Sequence, residues 1–302
     1  MDGQEPYRRG LALRWRKFAA VAGFVLACQA VLAGPIRDRS VERDVPYGSD
    51  ARQRFDVYAD GRTKDAPVLF MVHGGAWRIG DKAANSVVEN KVARWVPMGF
   101  VLISANYRML PRADPMLQAK DVARAIALAQ DKAASWGGDR RKFILVGHSA
   151  GAHLVALLAT APAISSGIVS TPWLGAIALD SAALDVVKIM EAKHARFYDE
   201  AFGQDRGYWR AVSPYHAVTG EARPILAVCS TRRDDSCPQA RRFVEKASSL
   251  GVKATMLEQD LSHRDINLRL GEDPRYTAAV ESFIAGLDPS TARALAGVSA
   301  PR

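Results

Sequence analysis

Apolar residues fall into two rhythms that take turns along the chain. Uninterrupted apolar runs of five to eight residues stand at 67–73 ("PVLFMVH"), 100–107 ("FVLISANY"), 143–147 ("FILVG"), 175–180 ("GAIALD") and 224–230 ("PILAVCS"). Short apolar runs without alternation predict strands buried on both faces. Residues 55–60 ("FDVYAD") alternate as an edge strand does, and 253–259 ("KATMLEQ") predict a weaker last strand. Between the runs, apolar residues recur every three or four positions at 117–136 and 151–163. Residues 238–251 ("PQARRFVEKASSLG") read as a helix closed by Gly251. Strands alternating with helices predict an α/β domain: a mostly parallel central sheet with helices on both faces. That domain is expected over residues 55–288. Residues 181–223 lack a buried strand and are read as a small cap or insertion. Residues 34–54 form an N-terminal extension, and the Ala- and Ser-rich stretch 289–302 is expected to be a flexible tail.

The first 33 residues follow a different pattern. Arg8, Arg9, Arg14, Arg16 and Lys17 precede an apolar run from Phe18 to Ala33 broken only by Gln29. That run is short of the roughly 20 residues that span a bilayer. Val31-Leu32-Ala33 offers small residues for cleavage, so residues 1–33 read as a signal peptide. The protein is therefore expected to be exported, to the periplasm or beyond. A retained N-terminal anchor, or a lipid on Cys28, is the alternative that would place it at a membrane.

The full chain of 302 residues carries a formal charge of +9. Three of those surplus charges sit in the leader. The rest is spread in mixed-sign runs such as "IRDRSVERD", with no basic block interleaved with aromatics. No nucleic-acid partner is expected. Without the leader, two cysteines remain, Cys229 and Cys237. In an oxidising compartment they are expected to pair, two separate thiols being the alternative.

The chemistry centres on "VGHSAGAH" (146–153), where Ser149 lies in G-x-S-x-G between a buried strand and an apolar helix. Glycines on both sides relieve a crowded turn, and the helix start directs free N–H groups at the hydroxyl. That setting makes Ser149 the candidate nucleophile. "HGGAW" (73–77) ends an earlier strand. Its glycines let Gly74, Gly75 and Ala76, together with Ala150, build an oxyanion hole. His73 is read as bracing that loop. "LSHRDIN" supplies a late histidine, His263, as the base. The acid should fall between them in the order Ser, Asp, His. "CSTRRDDSCP" offers Asp234, four residues before Pro238, with Asp235 as the alternative. Asp180 and Asp185, after the preceding strand, rank lower. His148 is a pocket-lining candidate, His153 a brace, and His194 and His216 surface residues of the cap. No H-E-x-x-H or other paired-ligand spacing and no G-x-G-x-x-G after a strand occurs, so neither metal nor cofactor is expected.

"HGGAWRIGDK", "NYRMLP", "GGDRRKFILVGHSAGAHL" and "SHRDIN" stand in an order that resembles the α/β-hydrolase esterase/lipase family. The likeness is to its bacterial acetyl-esterase, feruloyl-esterase and kynurenine-formamidase-like branch, and it covers roughly residues 57–287. It implies an α/β-hydrolase fold and a cofactor-free serine hydrolase acting on a small-molecule carboxylic ester, with short acyl chains. An arylformamidase-type amidase, or a binding protein on the same scaffold, is the alternative. One departure concerns the acid: that branch more often has a glycine-containing turn where this chain has "CSTRRDDSCP".

Overall fold

The computed structural model describes residues 40–181 and 183–297. The leader, Cys28 and residues 298–302 lie outside the described residues. Eight strands form one sheet: β1 (Ser40–Pro46), β2 (Arg54–Ala59), β3 (Ala66–Val72), β4 (Val101–Ala105), β5 (Gly138–His148), β6 (Gly175–Leu179), β7 (Ile225–Ser230) and β8 (Ala254–Gln259). Their order across the sheet is β1-β2-β4-β3-β5-β6-β7-β8. β1 and β2 run antiparallel to their neighbours, and β3 to β8 are parallel.

Helices cover both faces, as a parallel sheet requires. α1 (Asn85–Trp95), α10 (His263–Leu268) and α11 (Pro274–Ala285) lie on one side. α2 (Pro115–Lys132), α3 (Ala150–Thr160), α4 (Pro162–Ser165) and α9 (Ser236–Ser249) lie on the other. β3 shows how the sequence divides itself between the layers: Val68, Phe70 and Val72 join the α3 side, Leu69 and Met71 the α1 side. Both faces are apolar, so the run is continuous. The described residues of 181–223 carry four short helices and no strand: α5 (Val186–Met190), α6 (Arg196–Phe202), α7 (Arg206–Ala211) and α8 (Pro214–Ala217).

Two expectations need correction. Residues 55–60 are not the sheet edge, because β1, from the stretch read as an extension, pairs outside β2. The polar positions that suggested a wet face are satisfied internally. Asp56 is fully buried and accepts from Arg43 at 2.9 Å and Lys82 at 2.6 Å. Nor is the segment after Asp288 wholly a loose tail. α12 (Pro289–Leu295) is capped by the Asp288 carboxylate, which accepts from Ser290 N–H at 2.7 Å, and is pinned by Thr291 Oγ1 donating to the Ile284 carbonyl at 2.7 Å. Pro at the first helical position and Asp at the cap form a start signal that outweighs the small-residue composition.

The carboxyl ends of β5, β6, β7 and β8 open on one edge of the sheet. Ser149, Asp180 and residues 231–235 follow those ends directly, and His263 follows β8 after three residues.

Candidate active site

Ser149 sits at φ 56° and ψ −117°, a strained conformation for a residue with a side chain. Its N–H donates to the Leu179 carbonyl at 2.9 Å, so the turn is fastened to the end of β6. The flanking glycines are sterically required. A Cβ on Gly147 would lie 2.2 Å from the Gly151 carbonyl oxygen, and one on Gly151 would lie 2.2 Å from that of Val72. No side chain larger than hydrogen fits either place.

His263 begins α10, a helix of one and a half turns that is held from several directions. Its own carbonyl accepts from His148 Nε2 at 2.9 Å. The Ile266 carbonyl accepts from Tyr276 Oη at 2.9 Å, that of Asn267 from Lys91 Nζ at 2.6 Å, and that of Leu268 from Asn90 Nδ2 at 2.7 Å. So short a helix leaves most of its carbonyls unpaired, and these side chains take them up. The result is a fixed imidazole. Ser149 Oγ donates to His263 Nε2 at 3.0 Å.

The other ring nitrogen, Nδ1, faces Asp180, not Asp234. Asp180 Oδ2 lies 2.5 Å from Nδ1, and the carboxylate is fully buried. A carboxylate oxygen that close requires the proton on Nδ1, which leaves Nε2 free to accept from the serine. Asp180 follows β6 at φ 55°, and its N–H donates to the Val228 carbonyl at 2.8 Å. Burial alone would push this carboxyl up. The bonds from His263 and Ser236, the Arg233 charge and the Ser230 N–H overcome that and hold it well below the usual carboxylate range.

This corrects the choice of Asp234. Asp234 lies exposed in the turn before α9, and Asp235, also exposed, pairs with Arg233 at 3.2 Å. The residue that reaches inward from that turn is Arg233. Its Nη1 stands 3.0 Å from Asp180 Oδ2 and 2.9 Å from His263 Nδ1. Asp185 is occupied elsewhere, capping α5 and pairing with Arg242 at 3.1 Å. The sequence carried one sign of this contact: Asp180 is the carboxylate at the end of a fully apolar strand, where its backbone must be buried.

Gly74, Gly75, Ala76 and Ala150 line the same cavity as Ser149 and His263, with a volume of about 640 Å³. Ala150 opens α3, where its N–H has no partner within the helix. His73 is buried beneath this loop, its ring stacked on Tyr107 at 4.6 Å and its Nδ1 2.7 Å from the Gly74 carbonyl oxygen. Burial pushes its pKa down. His148 lines the cavity beside His263, the ring centroids 4.6 Å apart, and burial with the neighbouring imidazole lowers its pKa to about 3. In the cap, His194 pairs with Asp199 at 3.1 Å and His216 with Asp185 at 3.3 Å. Cys229 and Cys237 are joined by a disulfide, with Cα atoms 5.1 Å apart.

The model of the BD-FAE family matches residues 55–242, which contain Ser149, Asp180 and the glycine loop. The chain belongs to the BD-FAE family. Among proteins similar to this BD-FAE member is esterase LipQ of Mycobacterium tuberculosis, 32% identical over 276 residues, covering 84% of this chain and 64% of that one. Esterase LipC of the same organism is 32% identical over 234 residues, covering 71% and 57%. The chain thus spans less than two thirds of the length of these relatives. Esterase B of Lactobacillus rhamnosis shares the fold at a TM-score of 0.70 and 19% identity, covering 85% of this chain and 87% of that one. A truncated carbohydrate esterase from gut microbiota does so at 0.67 and 18%, covering 86% and 99%. These are α/β-hydrolase structures, and the BD-FAE chain has that fold.

Proposed function

We propose that this protein hydrolyses carboxylic esters by two-step acyl transfer. The hydrogen-bonded chain Ser149–His263–Asp180 is the observation that carries the reading. Ser149 Oγ attacks the ester carbonyl carbon while His263 Nε2 takes the hydroxyl proton. Asp180 keeps the ring in the required tautomer and stabilises the imidazolium that forms. The backbone N–H groups of Gly75, Ala76 and Ala150 receive the negative oxygen, with Gly74 allowing the bend. In comparable sites each such donor is worth roughly 3–4 kcal/mol. His263 returns its proton to the leaving alcohol, and water, deprotonated by the same ring, then releases the acid from Ser149. The esterase names carried by LipQ and LipC support this chemistry, and short acyl chains are the class we propose.

We also propose that the protein is exported from the cytoplasm. The basic and apolar leader supports export, and a disulfide persists where thiols are oxidised.

The test is a p-nitrophenyl ester series from acetate to octanoate, run beside N-formylkynurenine, with S149A as control and a fluorophosphonate probe on both proteins. Expected are turnover falling with chain length, labelling of Ser149, and loss of both in S149A. Labelling without turnover of any ester would leave the scaffold without this function.

A further inference from the structure

The Asp180 carboxylate is saturated, and almost all of its partners come from one short segment. Oδ1 accepts from Ser230 N–H at 2.8 Å and from the Ser236 hydroxyl. Oδ2 accepts from Arg233 Nη1 at 3.0 Å and from His263 Nδ1 at 2.5 Å. A carboxylate offers about four acceptor positions, so no place remains for another donor. Three of the four donors lie between residues 230 and 236. Cys229 and Cys237 bracket that segment and are bonded to each other. The disulfide therefore closes a loop from which the Ser230 N–H, the Arg233 guanidinium and the Ser236 hydroxyl all serve a single carboxylate.

Arg233 is the central arm of this loop. Its side chain is three-quarters buried, and its second nitrogen, Nη2, reaches Asp235 at the rim. A guanidinium offers only donors. With the proton on Nδ1, Arg233 Nη1 and His263 Nδ1, 2.9 Å apart, are two donors that converge on the same oxygen, Asp180 Oδ2. Arg233 acts on the reaction through Asp180 and His263, without touching the Ser149 hydroxyl.

We infer that the loop 229–237 is a disulfide-locked clamp for the triad acid, in which Arg233 is the positioning residue and the Cys229–Cys237 bond holds it in reach of Asp180. The inference rests on the proposed triad. Opening the loop frees Arg233 and Ser236 together, and the acid then loses two of its four donors while Ser230 stays anchored in β7. Misplacement of a catalytic group by about 1 Å is expensive, on the order of a hundredfold in rate.

The experiment is a cycle between Arg233 and the disulfide in the full chain, with D180N as reference. R233Q, R233K, the C229A/C237A pair and the R233Q/C229A/C237A combination are compared for kcat and KM on p-nitrophenyl acetate, with thermal unfolding recorded for each. R233Q should lower kcat about a hundredfold while KM stays within about twofold, and R233K should recover most of the loss. Removing the disulfide should lower kcat in the wild type and change it little in R233Q, since the arm it holds is already gone. A side chain that merely stabilised the fold would lower Tm and add to the disulfide's effect. Equal losses from disulfide removal in both backgrounds, or an R233Q enzyme with more than half the wild-type kcat, would overturn the clamp. R233M with the same cysteine pair serves if R233Q fails to fold. The two readings separate on D180N: if D180N turns over normally the triad falls, and if D180N is slow while R233Q is fast only the clamp falls.

Discussion

Trp77 Nε1 donates to His153 Nδ1 at 3.2 Å, and the other nitrogen of the same ring donates to the Val212 carbonyl at 2.7 Å. One buried neutral imidazole thereby ties the glycine loop after β3 to the segment between α7 and α8. The Trp77 indole also packs edge-on against Phe202 of α6 at 4.9 Å, and Arg78 pairs with Glu200 of the same helix. The cap thus braces the loop that holds Gly74, Gly75 and Ala76.

His153→Phe keeps a ring of similar size but strands the Trp77 N–H and the Val212 carbonyl. Leaving two buried groups unpaired should cost about 2–4 kcal/mol, measured by urea unfolding. If the loop supplies the oxyanion donors proposed for it, kcat should fall about tenfold or more with little change in KM. Unchanged kcat would show that the loop holds its shape without this tie.

Asp180→Asn should be about ten-thousandfold slower in kcat, since the amide no longer holds the proton on Nδ1 in the right tautomer. Asp234→Asn should retain near-normal turnover, because Asp234 is exposed and makes no bond to His263. Steady-state kinetics on the two variants decide between these carboxylates, and a slow Asp234→Asn beside a fast Asp180→Asn would reverse the assignment.

Gly74→Ala would place a methyl group 2.8 Å from the His148 carbonyl oxygen and 2.9 Å from Ser149 Cβ. Both neighbours are fixed, one as backbone and one in the strained turn. The loop must therefore retreat from the serine, and kcat should drop by about two orders of magnitude, the scale of a lost oxyanion donor. Phosphonylation by a fluorophosphonate, followed over time, should slow in parallel. Normal labelling would show that the loop has room.

Buried bases set the pH dependence of stability. Burial lowers the pKa of His153 to about 4 and that of His148 to about 3, against an ordinary 6.5. Below 6.5 the unfolded chain takes up protons that the folded protein refuses, so stability falls as the pH drops from about 6.5 to about 4. His153 alone accounts for on the order of 3 kcal/mol. Lys91, wholly buried, is lowered to about 7 from 10.5. Between those values the unfolded lysine keeps a proton that the folded one has released, so stability should keep rising from pH 7 to pH 9. Urea midpoints across pH 4–9 test both slopes. His153→Phe should flatten the acid side and Lys91→Met the alkaline side, and an unaltered profile in either variant would remove that group as its cause.

The sequence by itself determined the strands buried on both faces, the glycine-flanked serine, the glycine loop, the late histidine and the pair of cysteines. Each is a local constraint: an apolar run can only be covered on both sides, and the Gly147 and Gly151 positions admit no side chain. The choice of acid was not local. Asp180 and Asp234 both lie between Ser149 and His263 in the chain, and both follow a buried strand. Only the packed structure shows that Asp180 turns inward at the end of β6, with four donors around it, while Asp234 faces solvent and its neighbour Arg233 points in. The place of residues 40–46 at the sheet edge was likewise beyond the sequence pattern. The buried charge of Asp56 is tolerated because Arg43 and Lys82 reach it, and a pattern of polar and apolar positions cannot say which distant cation will neutralise a carboxylate.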